Sequence, residues 1–320
     1  MSYPQSSDDQ HPYGVVVICT KNRPDEIEMS CAAADRASPN IPILVVDAST
    51  TDATHDVCKR FVRHDTSSPT LMYRRASRPG LARQRNEAIG ICRELGVQIV
   101  HFIDDDTEVS DGYFDAIERR CRTDPTAMGV GGIILNQQTV NYVTLKSFFL
   151  LWSHRRGSVL KSGRNILGQY PGTLATDPVE WLNGCSMSFR MSVFDEAMFD
   201  DDMQGYSLGE DYDFSFRVSR KHRLVVEPAA TCIHHLTPTM RGSVRTHARQ
   251  ATEATHRWVI AHRELGMSPV AFWWSTLGDF LLRAGHGVVC AKRESLQEAI
   301  GVVDGVAGIV RGRAPWLTDM

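Results

Sequence analysis

The chain has 320 residues, 42% of them hydrophobic, which is ample for one large domain or two closely joined halves with a real core. Its 35 basic and 38 acidic residues leave a formal charge of −3, so no overall positive field points to a nucleic-acid partner and charge must act locally. Eight scattered cysteines form no Cys-x-x-Cys pair, and several sit inside apolar runs where a reduced thiol behaves as a small hydrophobe, which fits a reducing cytoplasm.

The opening MSYPQSSDDQHPYG lacks a basic start followed by an apolar stretch, so residues 1–13 read as a short disordered lead and not as a signal peptide. From Gly14 short apolar strands alternate with longer helical segments, the signature of a mostly parallel sheet flanked by helices. GVVVICT is the first strand, a helix follows from Pro24 to Ala37, IPILVVDAS is the second strand, and DATHDVCKRFVR is the second helix. TLMYRR reads as the third strand, and LARQRNEAIGICRELG as a helix with Leu81, Ala88, Ile89 and Cys92 on one face. VQIVHFI is the fourth strand; such continuous apolar runs mark strands buried on both faces. DGYFDAIERRCRTDP is helical and MGVGGIIL another strand. Between Asn136 and Glu180 the pattern weakens, as for an inserted loop or helix pair. VEWLNGCSMSFRMSVF then runs as a strand toward a helix, GEDYDFSFRVSRKH is a helix, and RLVVEPAATCIHH closes the sheet. After Thr237 the chain is mostly helical, and no run reaches the roughly 18 apolar residues of a spanning helix.

Ligands of open parallel sheets gather at the carboxyl ends of strands, and polar residues fall there repeatedly. The first strand ends in Thr20, Lys21, Asn22 and Arg23, the second in Asp47, and the fourth in Asp104, Asp105 and Asp106. In extended backbone Asp104 and Asp106 point together while Asp105 points away, which makes a hard oxygen site for Mg²⁺ or Mn²⁺ with positions left for phosphate and water. A solvated acidic turn capping the next helix is the alternative. Glu210 and Asp211 start a helix, where the macrodipole favours negative charge, and capping alone explains one of the two. His234 and His235 follow an apolar strand and are candidate metal ligands or ordinary packing residues.

CTKNRP, VVDAST, GLARQRNEAI, FIDDDTEV, NGCSMSFR, GEDYDFSFRV and PAATCIHH occur here in the order and approximate spacing of the family 2 glycosyltransferases, and the chain from Val15 to His235 resembles that family. The resemblance implies the α/β GT-A fold, a Rossmann-like central sheet flanked by helices, and an inverting transfer from a nucleotide-diphosphate sugar (UDP, dTDP or GDP) assisted by Mg²⁺ or Mn²⁺. It places Thr20 and Arg23 beside the nucleotide, Asp47 where it accepts hydrogen bonds from the base, and Arg85 and Asn86 beside the diphosphate and ribose. Asp104 and Asp106 match the metal motif, with Asp105 available to the ribose or as support, and His234 matches a metal ligand, with His235 in reserve. Asp211 matches the catalytic base, and Glu210 would orient that base or touch the acceptor. Trp181, Asn183 and Gly184 would meet the donor sugar and acceptor, although a Trp at a strand start also suits a core.

The implied organisation is a nucleotide-sugar half at 14–135, an acceptor and catalytic half at 136–240, and a helical region at 241–320. The acceptor hydroxyl would belong to a glycan, a lipid-linked molecule or a small molecule, as in polysaccharide, glycolipid or glycoconjugate synthesis. KSFFLLWSHRRGSVLK and SPVAFWWSTLGDFLLRAGHGVVCAKR join aromatic and aliphatic residues to flanking bases. Asp279 and Arg283 inside the longer segment favour helices that pack on the catalytic domain or on a second subunit in a homo-oligomer. Contact with the inner face of the membrane, suiting a lipid-linked acceptor, is the other reading of a cytoplasmic protein. Two other functions compete: a sugar-phosphate nucleotidyltransferase, for which the Gly-rich loop after the first strand is missing, and a non-catalytic sugar-nucleotide or glycan-binding protein.

Overall fold

The structure, a computed structural model, describes residues 13–39, 41–62, 71–137, 143–174, 178–203, 208–237 and 243–312. The expected N-terminal lead lies outside the described residues except for Tyr13. Two compact units form, one within Met1–Gln138 and Gly168–Thr237, the other within Thr139–Leu167 and Pro238–Met320. The weakly patterned stretch after Asn136 thus groups largely with the C-terminal helices.

The first unit is built on one eight-stranded sheet. Strands β1 (Gly14–Thr20), β2 (Ile43–Asp47), β3 (Leu71–Arg75) and β4 (Ile99–Asp104) are parallel neighbours in the order β3-β2-β1-β4. Helices α1 (Pro24–Ala37), α2 (Ala53–Cys58) and α3 (Leu81–Glu94) connect them, and the predicted second helix is shorter than expected because the chain tightens into a 3-10 turn at Lys59–Phe61. All seven residues of β1 are buried, since helices cover both faces. Val15, Val17 and Cys19, with Leu44, Val46, Val100 and Phe102, share the core with Ala82, Ala88, Ile89 and Cys92 of α3. The registers pair Thr20 with Asp47, Asp47 with Arg75, and Cys19 with Asp104, so the polar strand ends form one rim.

Past β4 the sheet becomes mixed. A short strand, β5 (Thr107–Val109), which the sequence pattern does not announce, follows the acids directly; α4 (Tyr113–Thr123) and β6 (Ala127–Ile134) come next. The apolar run after Asn183 supplies β7 (Met187–Arg190), antiparallel to both β4 and β6, and a 3-10 turn at Met191–Asp195. After α6 (Glu210–Ser219), β8 (Arg223–His234) runs parallel to β6 and then antiparallel to β5. Between Glu227 and Thr231 its register slips, leaving Pro228, Ala229 and Ala230 without partners on β6. Proline has no N–H for a ladder, so a bulge is where it fits. The bulge is tied by Glu227, which accepts from Ala229 N at 3.1 Å and from Arg120 Nε at 2.8 Å.

The second unit holds α5 (Val143–Phe148), α7 (Val244–Ala261), α8 (Pro269–Val289) and α9 (Arg293–Val310). Ser243 and Ser268 cap α7 and α8, accepting from Thr246 N at 3.2 Å and Ala271 N at 3.3 Å. Helices α7 and α9 approach closely because Gly301 and Gly305 of α9 leave room for the Arg245 and Arg249 carbonyls.

An aromatic cluster fixes α6 on the sheet of the first unit. Phe214 stacks on Phe199 at 4.3 Å and on Phe194 at 5.5 Å, and meets Phe189 edge-on at 5.0 Å. Phe214→Ala should therefore lower unfolding stability by about 3–5 kcal/mol, read from urea denaturation midpoints at an unchanged slope.

Candidate functional site

Three side chains from two strand ends converge. The chain does not stay extended after Asp104; it turns at Asp105 and Asp106 into β5, so Asp104 and Asp106 meet through a turn and not through strand alternation as expected. Ser30 of α1 supports the turn, its hydroxyl 2.7 Å from the Thr107 carbonyl and 2.8 Å from that of Asp105. In β8 the His234 backbone is clasped by Asn136, whose Nδ2 donates to its carbonyl at 2.7 Å and whose Oδ1 accepts from its N–H at 3.2 Å. One ligand atom each from Asp104, Asp106 and His234 then lie within 4.8 Å of one another. His235, one position on, points the other way, Nε2 3.1 Å from Glu108 Oε2.

The trio fits a divalent cation. Ligand bonds of about 2.1 Å set neighbouring octahedral donors about 3 Å apart; His234 Nε2 is already 3.0 Å from Asp106 Oδ1, while its 3.8 Å separation from Asp104 Oδ2 would have to close. Two carboxylates and an imidazole suit Mn²⁺ and admit Mg²⁺. The local charge agrees: the carboxyls of Asp104, Asp105, Asp106, Glu210 and Asp211 are met by two guanidiniums, Arg23 and Arg85.

Arg23 and Thr20 close one side of the site. Thr20 Oγ1 donates to Asp105 Oδ2 at 2.7 Å, while the Arg23 fork spans Asp105 and, at 3.0 Å, Asp106 Oδ2. Asp106 Oδ2 also accepts from Thr237 N at 3.0 Å. Burial pushes Asp105 up to about 7 against the pull of Arg23 and Thr20. Burial also acts to raise Asp106, but His234 and Arg23 hold its carboxyl well below the usual range.

Arg85 closes the other side. It is fully enclosed, packed against the touching rings of Phe102 and Phe199, and donates to Glu210 Oε1 at 2.5 Å, to Asp104 Oδ1 at 3.1 Å and to the Gly184 carbonyl at 3.4 Å. A side chain at Gly184 would put a Cβ 2.8 Å from Arg85 Nη2, so only glycine lets the two approach. Gly184 N in turn donates to Asp211 Oδ2 at 2.7 Å, and Tyr212 N to Asp211 Oδ1 at 2.8 Å. Burial raises both acids of α6: Glu210 to about 8 despite Arg85, and Asp211 against Arg85 and the two backbone donors.

The remaining expected residues scatter around this centre. Asp47 is buried, and it accepts from Ser49 N at 2.7 Å, Tyr73 Oη at 2.8 Å and Arg75 Nη1 at 3.4 Å. Asn86 parts from Arg85: its amide binds the Phe199 backbone at 2.9 and 3.0 Å and Asp201 at 2.7 Å. Trp181 is buried edge-on to Tyr212, and Asn183 Oδ1 holds Cys185 N at 3.1 Å. Sequence reasoning missed Ser30 and Asn136, and also the buried Gln84 and Gln169. Gln84 Nε2 bridges the carbonyls of Thr20 and Val46, and Gln169 Nε2 bridges those of Gly132 and Ser186. A glutamine on a buried helix face was the one available signal.

Two outcomes follow. With Mn²⁺ at about a hundred times its Kd, the unfolding free energy should rise by about 2.7 kcal/mol; in Asp106→Asn this metal-dependent rise in thermal melts should vanish, each variant being compared with and without metal. A carboxyl raised on folding, such as Glu210, binds more protons in the folded state, so its contribution is full below its unfolded value of 4.5 and drains as pH climbs toward about 8. Subtracting the urea midpoints of Glu210→Gln, which stays neutral, from those of the wild type should give a difference that falls over this window.

Residues 15–196 match glycosyl transferase family 2. Among solved structures, a mannosyltransferase from Pyrobaculum calidifontis in complex with GDP-Man and Mn²⁺ has a TM-score of 0.59 at 14% identity, covering 96% of this chain and 89% of that one. GalNAc-T7, solved with UDP, GalNAc and Mn²⁺, gives 0.53 at 15% identity over 71% of this chain, which spans only 44% of GalNAc-T7. Residues 1–349 of S. aureus TarS give 0.51 at 12% identity, covering 93% of this chain and 82% of that one. No curated protein matches the chain in sequence. With more than half of its length matched to one family, and a sheet shared with glycosyltransferases of the GT-A fold, the chain belongs to glycosyl transferase family 2.

Proposed function

We propose that the protein moves a sugar from a nucleotide-diphosphate donor to an acceptor hydroxyl with inversion at the anomeric carbon, using Mn²⁺ or Mg²⁺. One observation carries this reading: the Asp104–Asp106–His234 trio and the Asp211 carboxylate are joined through a single buried guanidinium, Arg85, and its Gly184 contact. The bound cation would offset negative charge developing on the leaving diphosphate.

The chain's own residues supply the rest. Asp211 keeps part of its surface open, and each of its oxygens accepts one backbone N–H with a lone pair to spare. Those donors favour the ionised form while burial strengthens it as a base, so Asp211 takes the proton of the attacking hydroxyl. Glu210 is committed to Arg85, and Asp104 and Asp106 to the cation, which leaves Asp211 as the acid free to act. A single base without a second nucleophile fits direct displacement and hence inversion. Glu210 therefore serves by holding Arg85, not by touching the acceptor. Asp47, with Tyr73 and Arg75 at the rim, receives the nucleotide base, and Thr20 and Arg23 brace the acid turn beneath the diphosphate.

The test is a transfer assay with UDP-, dTDP- and GDP-sugars in the presence of Mn²⁺, with the anomeric configuration of the product read by NMR. Asp211→Asn should cut turnover by about 10²–10⁴-fold while the metal-dependent thermal shift given by the donor persists. Retained configuration, or undiminished turnover in Asp211→Asn, would remove the base role.

A further inference from the structure

Helix α8 buries Phe272 but turns most of its other bulky residues outward. Ala271, Phe272, Ser275, Thr276, Gly278 and Gly287 form its buried side, and a Cβ added at Gly278 or Gly287 would overlap Phe149 or Leu296. Val270, Trp273, Trp274, Leu277, Leu281 and Val288 are exposed instead, from 38% for Trp274 to 80% for Val270. At about 100° per residue these positions fall in one stripe roughly 100° wide. Helix α5 extends the stripe sideways: Phe148 is 62% exposed, meets Trp274 edge-on at 5.2 Å, and accepts from Trp274 Nε1 on its carbonyl at 2.8 Å.

The charges inside α8 do not interrupt this face. Arg283 Nε donates to Asp279 at 2.7 Å, Arg164 to Asp279 at 3.1 Å, and Arg283 to Glu298 at 2.7 Å, so the two residues that argue for packing are spent on partners within the unit. No described helix is long and apolar enough to cross a membrane.

Charge identifies the occupant. Thr139–Leu167 and Pro238–Met320 carry 15 Lys and Arg against 7 Asp and Glu, a formal +8, while the rest of the chain carries −11 within its total of −3. Bases stand at both ends of the stripe: Ser268 N donates to the Lys161 carbonyl at 2.9 Å, which sets exposed Lys161 beside the start of α8, and exposed Lys292 and Arg293 follow its end. A second copy presenting the same face would bring like charge to like charge. An anionic surface that is apolar just beneath satisfies both the bases and the Trp and Leu stripe.

We propose that the α5–α8 face docks in the plane of an anionic phospholipid bilayer. The face belongs to the second unit and the acid cluster to the first, and the proposal stands whether or not the transfer chemistry above is right.

Flotation of the full chain with phosphatidylglycerol–phosphatidylcholine vesicles tests it. The wild type should float with these vesicles, fail to float with phosphatidylcholine alone, and detach as salt rises. Trp273→Ser/Leu277→Ser/Leu281→Ser, all at exposed positions, should bind on the order of tenfold or more weakly, and loss of either Lys292 or Arg293 should weaken binding about fivefold. Circular dichroism establishes that the variants remain folded, and quenching of wild-type Trp emission by brominated acyl chains gives a readout that needs no variant. The proposal is overturned if the wild type stays unbound, if neutral vesicles capture it equally, or if brominated lipid leaves its emission unchanged. It is also overturned if the triple variant floats undiminished, or if the wild type is a dimer that this variant converts to monomer, since a second copy would then cover the stripe.

Discussion

The buried arginine at position 85 is the interaction on which the rest depends. Acids gathered at one rim repel one another, and in a low-dielectric setting that repulsion is severe unless positive charge is built in. Arg85 packs against two touching aromatic rings and has carboxyl groups at both ends of its fork, so it is not left as a lone buried charge. Breaking such a buried pair typically costs about 3–5 kcal/mol. The same fork ties the end of β4, the Gly184 turn and the first residue of α6 into one rigid piece. Arg23 does the corresponding work for Asp105 and Asp106 from the end of β1. The acid turn is thus clamped from two sides, and Asp104 and Asp106 still converge with His234.

Much of the first unit is legible in the sequence because buried parallel strands have a strong signature. GVVVICT and VQIVHFI read as strands without ambiguity, and the polar residues after them fall at carboxyl ends by position alone. What eludes the pattern is the antiparallel part. Strand β5 has three residues, too few to show a period, and exists because the bulged end of β8 lies beside it. Helix α8 is legible as amphipathic, yet which side faces inward depends on where Phe149 and Leu296 need room.

For the site, residue type and position identified the acids, but not how they meet. The convergence of Asp104 and Asp106 was expected from extended backbone and arises instead from a turn braced by Ser30, 74 positions from Asp104 in the chain. Arg85 and Asn86 are adjacent and look like one motif, but on a helix neighbours point about 100° apart. One turns to the acids and the other latches the segment at Phe199. Gln169 and Asn136 serve carbonyls far away in sequence, and nothing local marks such a task.

The bulge in β8 acts as a parity setting for the whole centre. Side chains alternate along a strand, so the count of unpaired residues at Pro228, Ala229 and Ala230 determines whether an even- or odd-numbered side chain reaches the acids. With three, His234 lies inward and His235 outward against Glu108. Two chemically identical rings, on adjacent residues, are thereby given separate fates by a kink four positions upstream.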